Sequence, residues 1–341
     1  MRIGNNPHKN QPIQGSEYLH QIIIPVYIPH FEGYFKDSFD ILKLCLQSVF
    51  NTIHNKTFIT IVNNGSCDVI KNYLNELHTQ NKIHEVIHTN NIGKLNAILK
   101  GLAGNSIELV TITDADVLFL DNWQIETTKV FRALPKVGVV GIVPQFNMFK
   151  NKCGNTIFDN LFSKNLKFIP VKTPQALVHF YDSIGWDSSY NKNYLKYSLG
   201  LEKNNSTVYI GSGHFVATYK KQMFQEMKSY LLFKLGGDSE DYLDTLPLKY
   251  DYWRVTTYDN YAFHMGNVYE DWMSEIKYDT KKRVEMDCDF AHYKLASTFK
   301  VSLKNRIFTK FLFNDSISKL FYNWKKLPKL MVNNYNNIIP K

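Results

Sequence analysis

The chain has 341 residues, 44% hydrophobic and 21% charged, which is globular composition and excludes disorder along its whole length. Its 40 Lys and Arg against 31 Asp and Glu leave a formal charge of +9, so an anionic partner is required: nucleic acid, a phosphorylated ligand or an anionic lipid surface. The four Cys (Cys45, Cys67, Cys153, Cys288) form no CxxC pair and no metal-spaced cluster, which excludes a disulfide scaffold or zinc finger and suits a reducing compartment.

In chain order, the β-branched run 21–26 predicts a buried strand. Ile41, Leu42, Cys45, Leu46 and Val49 recur at helical spacing and predict a helix over 38–52. A strand over 58–62 ends in the turn cluster Asn63-Asn64-Gly65-Ser66, and a helix opens at Asp68. Then come a strand over 84–88, a helix over 94–102, a strand over 109–113 that runs into Asp114-Ala115-Asp116, a helix over 123–134 and a strand over 137–143. This alternation predicts an α/β fold with a mainly parallel sheet flanked by helices, whose ligands sit beyond the carboxyl ends of the strands. The Asn-, Lys- and Tyr-rich stretch 147–205 reads as long loops over a core, and order returns over 208–216 and near 252–255.

The chemistry is concentrated in Asp114-Ala115-Asp116. Two carboxylates one residue apart can share a hard divalent cation, Mg²⁺ or Mn²⁺, which leaves coordination positions for substrate phosphates. Pro25-Val26-Tyr27, then Val62-Asn63-Asn64-Gly65-Ser66, then Asn91-Ile92-Gly93-Lys94, then Asp114-Ala115-Asp116 come in a set order. That order resembles the nucleotide-sugar half of family 2 glycosyltransferases with the GT-A fold, over roughly residues 20–270.

The resemblance implies a division into an N-terminal segment (1–20), a glycosyltransferase domain (21–289) with nucleotide-sugar (21–143) and acceptor (144–289) halves, and a basic extension (290–341). It implies that Pro25, Val26 and Tyr27 line the base pocket and that Asn63, where the family usually has Asp, reads the base. Gly65, Asn91 and Gly93 would shape the donor pocket, Lys94 would meet the diphosphate, and Asp114, Ala115 and Asp116 would hold ribose and metal. Gly237-Asp238-Ser239-Glu240-Asp241 resembles the family's acidic acceptor motif. A sugar hydroxyl needs a carboxylate to take its proton, and Asp241 is the first candidate, Glu240 the second and Asp238 the third. Asp238 or Ser239 equally suits a helix N-cap. His264, in a His-x-Gly turn, is a metal candidate in some members of the family. His214 is either structural or acceptor-facing, and Trp186, Trp253 and Trp272 are candidates for stacking on sugar.

Residues 290–341 carry ten Lys and Arg against Asp315 alone, which accounts for the whole surplus and leaves residues 1–289 balanced at 30 against 30. Apolar residues there recur at helical spacing (Leu303, Ile307, Phe311; Phe313, Ile317, Leu320, Trp324), a pattern for an anionic membrane surface or for a helix pair packed on the domain. The implied protein is an inverting, metal-dependent glycosyltransferase. It moves one sugar per encounter from a nucleotide-diphospho-sugar, a UDP-sugar by family habit, to a glycan or lipid-linked acceptor. It would be cytoplasmic, peripheral at the inner membrane face. A nucleotidyltransferase would carry a Gly-rich basic loop after the first strand, where Pro25-Val26-Tyr27-Ile28-Pro29-His30 stands instead. No nucleic acid is expected, because residues 1–289 are neutral and hold no recognised binding motif.

Overall fold

The computed structural model describes residues 15–186, 189–225, 238–279 and 298–336, with Gly4 and Lys9. The first half alternates as its periodicity dictates: β1 (His20–Val26), α1 (Ser38–Thr52), β2 (Thr57–Asn64), α2 (Asp68–Thr79), β3 (Glu85–Thr89), α3 (Lys94–Leu102) and β4 (Leu109–Thr113). Ile22, Ile23 and Ile24 of β1 are fully buried because helices cover both faces of the sheet. The five apolar residues of α1 named above all face the core.

Next come β5 (Val117–Phe119), α4 (Trp123–Ala133) and β6 (Val137–Gly141). Residues 147–205 are not long loops: they hold α5 (Gly154–Asp159), β7 (Leu166–Pro170), α6 (Pro174–Ser183) and β8 (Tyr197–Lys203). Their polar residues are structural rather than solvating. Asn155 is buried and its amide donates to Asp251 Oδ1 and the Tyr252 carbonyl, so polarity there marks side chain–backbone bonding. The ordered stretch over 208–216 divides into β9 (Ser206–Ile210) and β10 (Val216–Lys220) around a turn at 211–215. The chain continues through α7 (Asp238–Lys249), β11 (Trp253–Thr257), β12 (Ala262–His264), α8 (Thr298–Phe313), α9 (Asp315–Trp324) and α10 (Lys329–Val332).

Ten strands form one sheet in the order β3-β2-β1-β4-β10-β6-β11-β9-β8-β7. Strands β1 to β4 are mutually parallel, β10 reverses, β6 and β11 resume the first direction, and the remaining pairings alternate. Seven of the ten strands therefore run one way. β5 and β12 make a separate antiparallel pair.

The last described residues belong to a core. Phe321, Tyr322, Leu327 and Tyr335 pack with Phe149, Ile157 and Phe168, and Lys304 of α8 bonds Asp159 at 2.7 Å. Among the described residues no helix is long and apolar enough to cross a membrane.

Candidate active site

The sheet order reverses beside β1. The chain steps outward through β2 and β3, then returns to lay β4 on the other side of β1. At such a switch point the loops leaving two adjacent strands diverge and open a crevice at their carboxyl ends. Pro25-Val26-Tyr27 leaves β1 there and Asp114-Ala115-Asp116 leaves β4. A cleft of about 320 Å³ lies between them, lined also by Tyr34, Asn64, Asn91 and Lys94.

Two backbone conformations shape the donor side. Gly65 has φ +88°, and a Cβ there would stand 2.7 Å from the Asn91 backbone nitrogen. The turn after β2 is thus pressed against the loop after β3, a contact that only glycine permits. Gly93, at φ +89°, starts α3 and delivers Lys94 to its first position. Asn63 does not line the cleft. Its Oδ1 accepts from Ser66 N–H (2.9 Å) and its amide meets His88 Nδ1 (3.0 Å). The neighbouring Asn64 faces the cleft, and its Oδ1 accepts from Ile92 N–H at 2.9 Å. Alternation along β2 puts the two on opposite sides.

Lys94 Nζ lies 2.5 Å from Asp114 Oδ1. Asp114 N–H donates to the Phe215 carbonyl (2.9 Å), which ties the motif to the start of β10. Asp116 Oδ1 is buried without a hydrogen-bond partner, while Oδ2 stands 3.6 Å from His264 Nε2. Burial raises the Asp116 pKa, opposed by His264 and Lys94. An orphaned carboxylate oxygen beside an imidazole and a second carboxylate fits a hard divalent cation completed by phosphate oxygens. Among the described residues no three His, Cys, Asp or Glu converge as a metal cage, so the protein would supply only part of the coordination. His264 Nδ1 lies 3.1 Å from Ser183 Oγ and 3.2 Å from Gly266 N. Gly266 N–H donates to Nδ1, which puts the ring proton on Nε2; ligation through Nε2 requires the other tautomer, with Nδ1–H turned to Ser183 Oγ and the Gly266 bond given up.

On the acceptor side, α7 runs toward the amino end of β11, so its own amino end stands at the carboxyl end of the sheet, where Asp114 and Asp116 lie. Asp241 is exposed. Lys152 binds its carboxylate and Thr245 Oγ1 donates to it at 3.0 Å. Lys152 holds the Asp241 pKa below the usual carboxylate range. The side chains of Glu240 and Asp238 lie outside the described residues.

Sequence reasoning missed Asp244, one helical turn on. It is buried, accepts from Arg254 at 2.6 Å and stands 3.4 Å from His214 Nδ1. A charge inside the acidic motif's helix was the available signal. Also missed were Tyr34 and Phe35 at the cleft, although the aromatic run Phe31…Tyr34-Phe35 directly follows the first strand. Of the three tryptophans, Trp253 is buried, Trp272 is packed against the core, and Trp186 is half exposed with its ring on Tyr181. A second recess of about 410 Å³, between residues 104–109 and Lys220–Gln225, opens at the amino end of β4 and holds none of these groups.

A mainly parallel α/β sheet with a carboxylate- and lysine-lined cleft at its switch point is an architecture suited to a phosphorylated ligand. The family model described as Glycosyl transferase family 2 matches residues 22–199, more than half of the chain, and the protein belongs to that family. Among solved structures it is similar to the mannosyltransferase PcManGT from Pyrobaculum calidifontis, in complex with GDP-Man and Mn²⁺ (16% identity, TM-score 0.41, covering 73% of this chain and 58% of that one). It is also similar to S. aureus TarS 1–349 in complex with UDP-GlcNAc (13% identity, TM-score 0.42, covering 76% and 61%). The chain thus spans about three fifths of the length of these two solved chains. No curated protein matches it.

Proposed function

We propose that the protein is an inverting, metal-dependent transferase that moves one sugar from a UDP-sugar to the hydroxyl of a glycan or lipid-linked acceptor, in surface polysaccharide or glycolipid assembly at the inner face of the membrane. The observation that carries this is Asp116 Oδ1, a buried carboxylate oxygen without a partner in the switch-point cleft. Leaving such an atom unsatisfied costs stability, and a cation restores the balance.

The base stacks on Tyr27 and Tyr34, whose exposed rings line the cleft. Lys94, released from Asp114, places a positive charge at the departing diphosphate. A divalent cation at Asp116 and His264 would supply further charge for that leaving group. Asp241 takes the acceptor proton as the hydroxyl attacks from the opposite face of the sugar, which gives inversion.

A second reading of the base rests on the Lys152 contact. Asp241 spends its charge there, whereas Asp244, neutralised by Arg254, lies within reach of His214 Nδ1 and can orient the ring toward the acceptor.

The test is a donor screen with Mn²⁺ and Mg²⁺ that measures nucleoside diphosphate release with and without acceptor. Asp116→Ala abolishes release on the proposed reading, and full release would refute it. Loss in Asp241→Asn with activity kept in His214→Gln assigns the base to Asp241, and the opposite pattern assigns it to His214. Pyrophosphate released from a nucleoside triphosphate and a sugar 1-phosphate, with formation of the nucleotide sugar, would make the protein a nucleotidyltransferase instead.

A further inference from the structure

The basic tail is not a separable anchor. Tyr322, Leu327 and Tyr335 sit in the same core as Phe149 and Phe168, so α8 and α9 are held rigidly on the domain. Their outer faces are nonetheless apolar. Leu303, Ile307 and Phe311 form one exposed stripe along α8 at i, i+4 and i+8, while Val301 and Phe308 on the other side are buried. Leu320 (71% exposed) and Trp324 form a second stripe on α9.

The catalytic domain adds two exposed rings beside these helices. Phe158, exposed at the end of α5, rests edge-on against Phe308 (5.8 Å between centroids). Phe162 is 87% exposed and stands 6.0 Å from the Trp324 ring. Residues 158–162 thus bring exposed aromatic rings to the two consecutive helices that carry the exposed apolar stripes. Singly exposed apolar residues need no explanation, but a contiguous face marks an interaction site.

Charge selects the occupant. Residues 298–336 hold eight Lys and Arg against Asp315, and Asp315 is paired with Lys319 at 2.6 Å. Arg306, Lys310, Lys326 and Lys329 are exposed around the stripes, and so is Lys164 beside Phe162. Bulky apolar side chains framed by cations match the boundary between headgroups and acyl chains of an anionic bilayer.

We propose that Phe158, Phe162, the α8 stripe and the α9 stripe form one composite docking face for an anionic phospholipid bilayer. The face carries the enzyme as a rigid body. α8 also packs on α7, which bears Asp241, so the docking face and the helix of the acceptor side are held together. This inference deepens the reading of a lipid-linked acceptor and rests on it for its purpose.

The test is flotation of the full chain with phosphatidylcholine vesicles, with and without phosphatidylglycerol. The wild type floats with the anionic vesicles only. Each exposed cation adds roughly fivefold to the affinity, so Arg306→Glu with Lys310→Glu weakens binding more than about twenty-five-fold. Phe162→Ser with Leu303→Ser and Leu320→Ser weakens it about a hundredfold or more, with thermal stability kept.

Three outcomes overturn the proposal: wild type that stays with neither vesicle, flotation untouched by both variants, or a dimer in solution that the apolar variant converts to monomer. The last outcome would give the face to a second copy of the chain. Failure of sugar transfer with flotation intact would sink the catalytic reading and leave the docking face standing.

Discussion

His264 Nε2 stands 3.6 Å from Asp116 Oδ2, and backbone register places it there. β12 pairs with β5 so that His264 lies opposite Val117, and Met265 N–H donates to the Asp116 carbonyl at 2.8 Å. The short β5 strand, too brief to show a period in the sequence, is what brings residues 148 positions apart to one point. Mn²⁺ binding in the presence of UDP, followed by titration calorimetry, checks the consequence. Asp116→Asn keeps the shape and loses the charge, and should weaken Mn²⁺ by roughly a hundredfold, about 2.7 kcal/mol. His264→Gln should weaken it by about tenfold. An unchanged Mn²⁺ affinity in Asp116→Asn would remove this residue from the metal site.

How much of this is legible in the sequence follows from which interactions are local. The α1 stripe, the β1 run and the Asp114–Asp116 turn depend on neighbours in sequence, and their elements form where the periodicity puts them. The order of the 147–205 region comes instead from long-range bonds that leave no local pattern. Asn155 reaches the Tyr252 carbonyl, and Lys325 Nζ, from the tail, donates to the Leu161 carbonyl at 2.5 Å. Asn63 and Asn64 look interchangeable as letters. Only pairing with β3 decides that Asn63 turns to His88 and Asn64 to the cleft. The Lys152 partner of Asp241 lies 89 residues away and leaves no mark on the motif itself.

Gly65 tests the donor-side architecture. Its φ is +88°, and the Asn91 nitrogen would lie 2.7 Å from any Cβ placed there, which leaves no room for a side chain. Gly65→Ala should cost about 2–3 kcal/mol in urea unfolding and weaken UDP binding, because the 90–93 loop must move. A variant as stable as wild type would show that the two loops are not locked together.

Lys152 sets the charge state of Asp241 by donating to its carboxylate, which holds the pKa below the ordinary carboxylate value. A depressed pKa keeps the group ionised to lower pH. Lys152→Met removes the cation, so the Asp241 pKa rises toward about 4 and the acid limb of kcat/KM moves to higher pH. The measurement is the pH–rate profile of the two proteins. Superimposable acid limbs would mean that Asp241 is not the base observed in the rate.

Two buried histidines predict acid sensitivity. His20 and His54 lie beneath the sheet near Gln124, and burial lowers both pKa values, that of His54 to about 4. Above about pH 6.5 both are neutral whether the chain is folded or not, and stability is flat. Below that the unfolded chain takes up protons that the folded chain refuses, so stability falls as pH drops from about 6.5 toward 4. Each histidine contributes up to about 1.4 kcal/mol per pH unit within its own window. Urea midpoints across this range should decline for wild type and more gently for His54→Gln. A slope unaltered by that substitution would put the acid sensitivity elsewhere.

Tyr335 decides whether the basic tail is core or appendage. Its ring is buried against Phe168 and Tyr322, and its hydroxyl donates to the Tyr197 carbonyl at 2.7 Å. A ring held on several sides by other aromatics leaves a cavity that rigid neighbours cannot fill. Tyr335→Ala should therefore cost about 3–5 kcal/mol, while Tyr335→Phe, which loses only the hydrogen bond, should cost about 1 kcal/mol. Burial also raises the Tyr335 pKa well above its ordinary value, so the phenol stays neutral and continues to donate through mildly alkaline pH. If the tail were an appendage, unfolding of the catalytic core, followed through the buried Trp123 and Trp253, would be indifferent to both substitutions. With the tail as part of the core, those tryptophans should report an earlier transition in Tyr335→Ala and a single cooperative one in both variants.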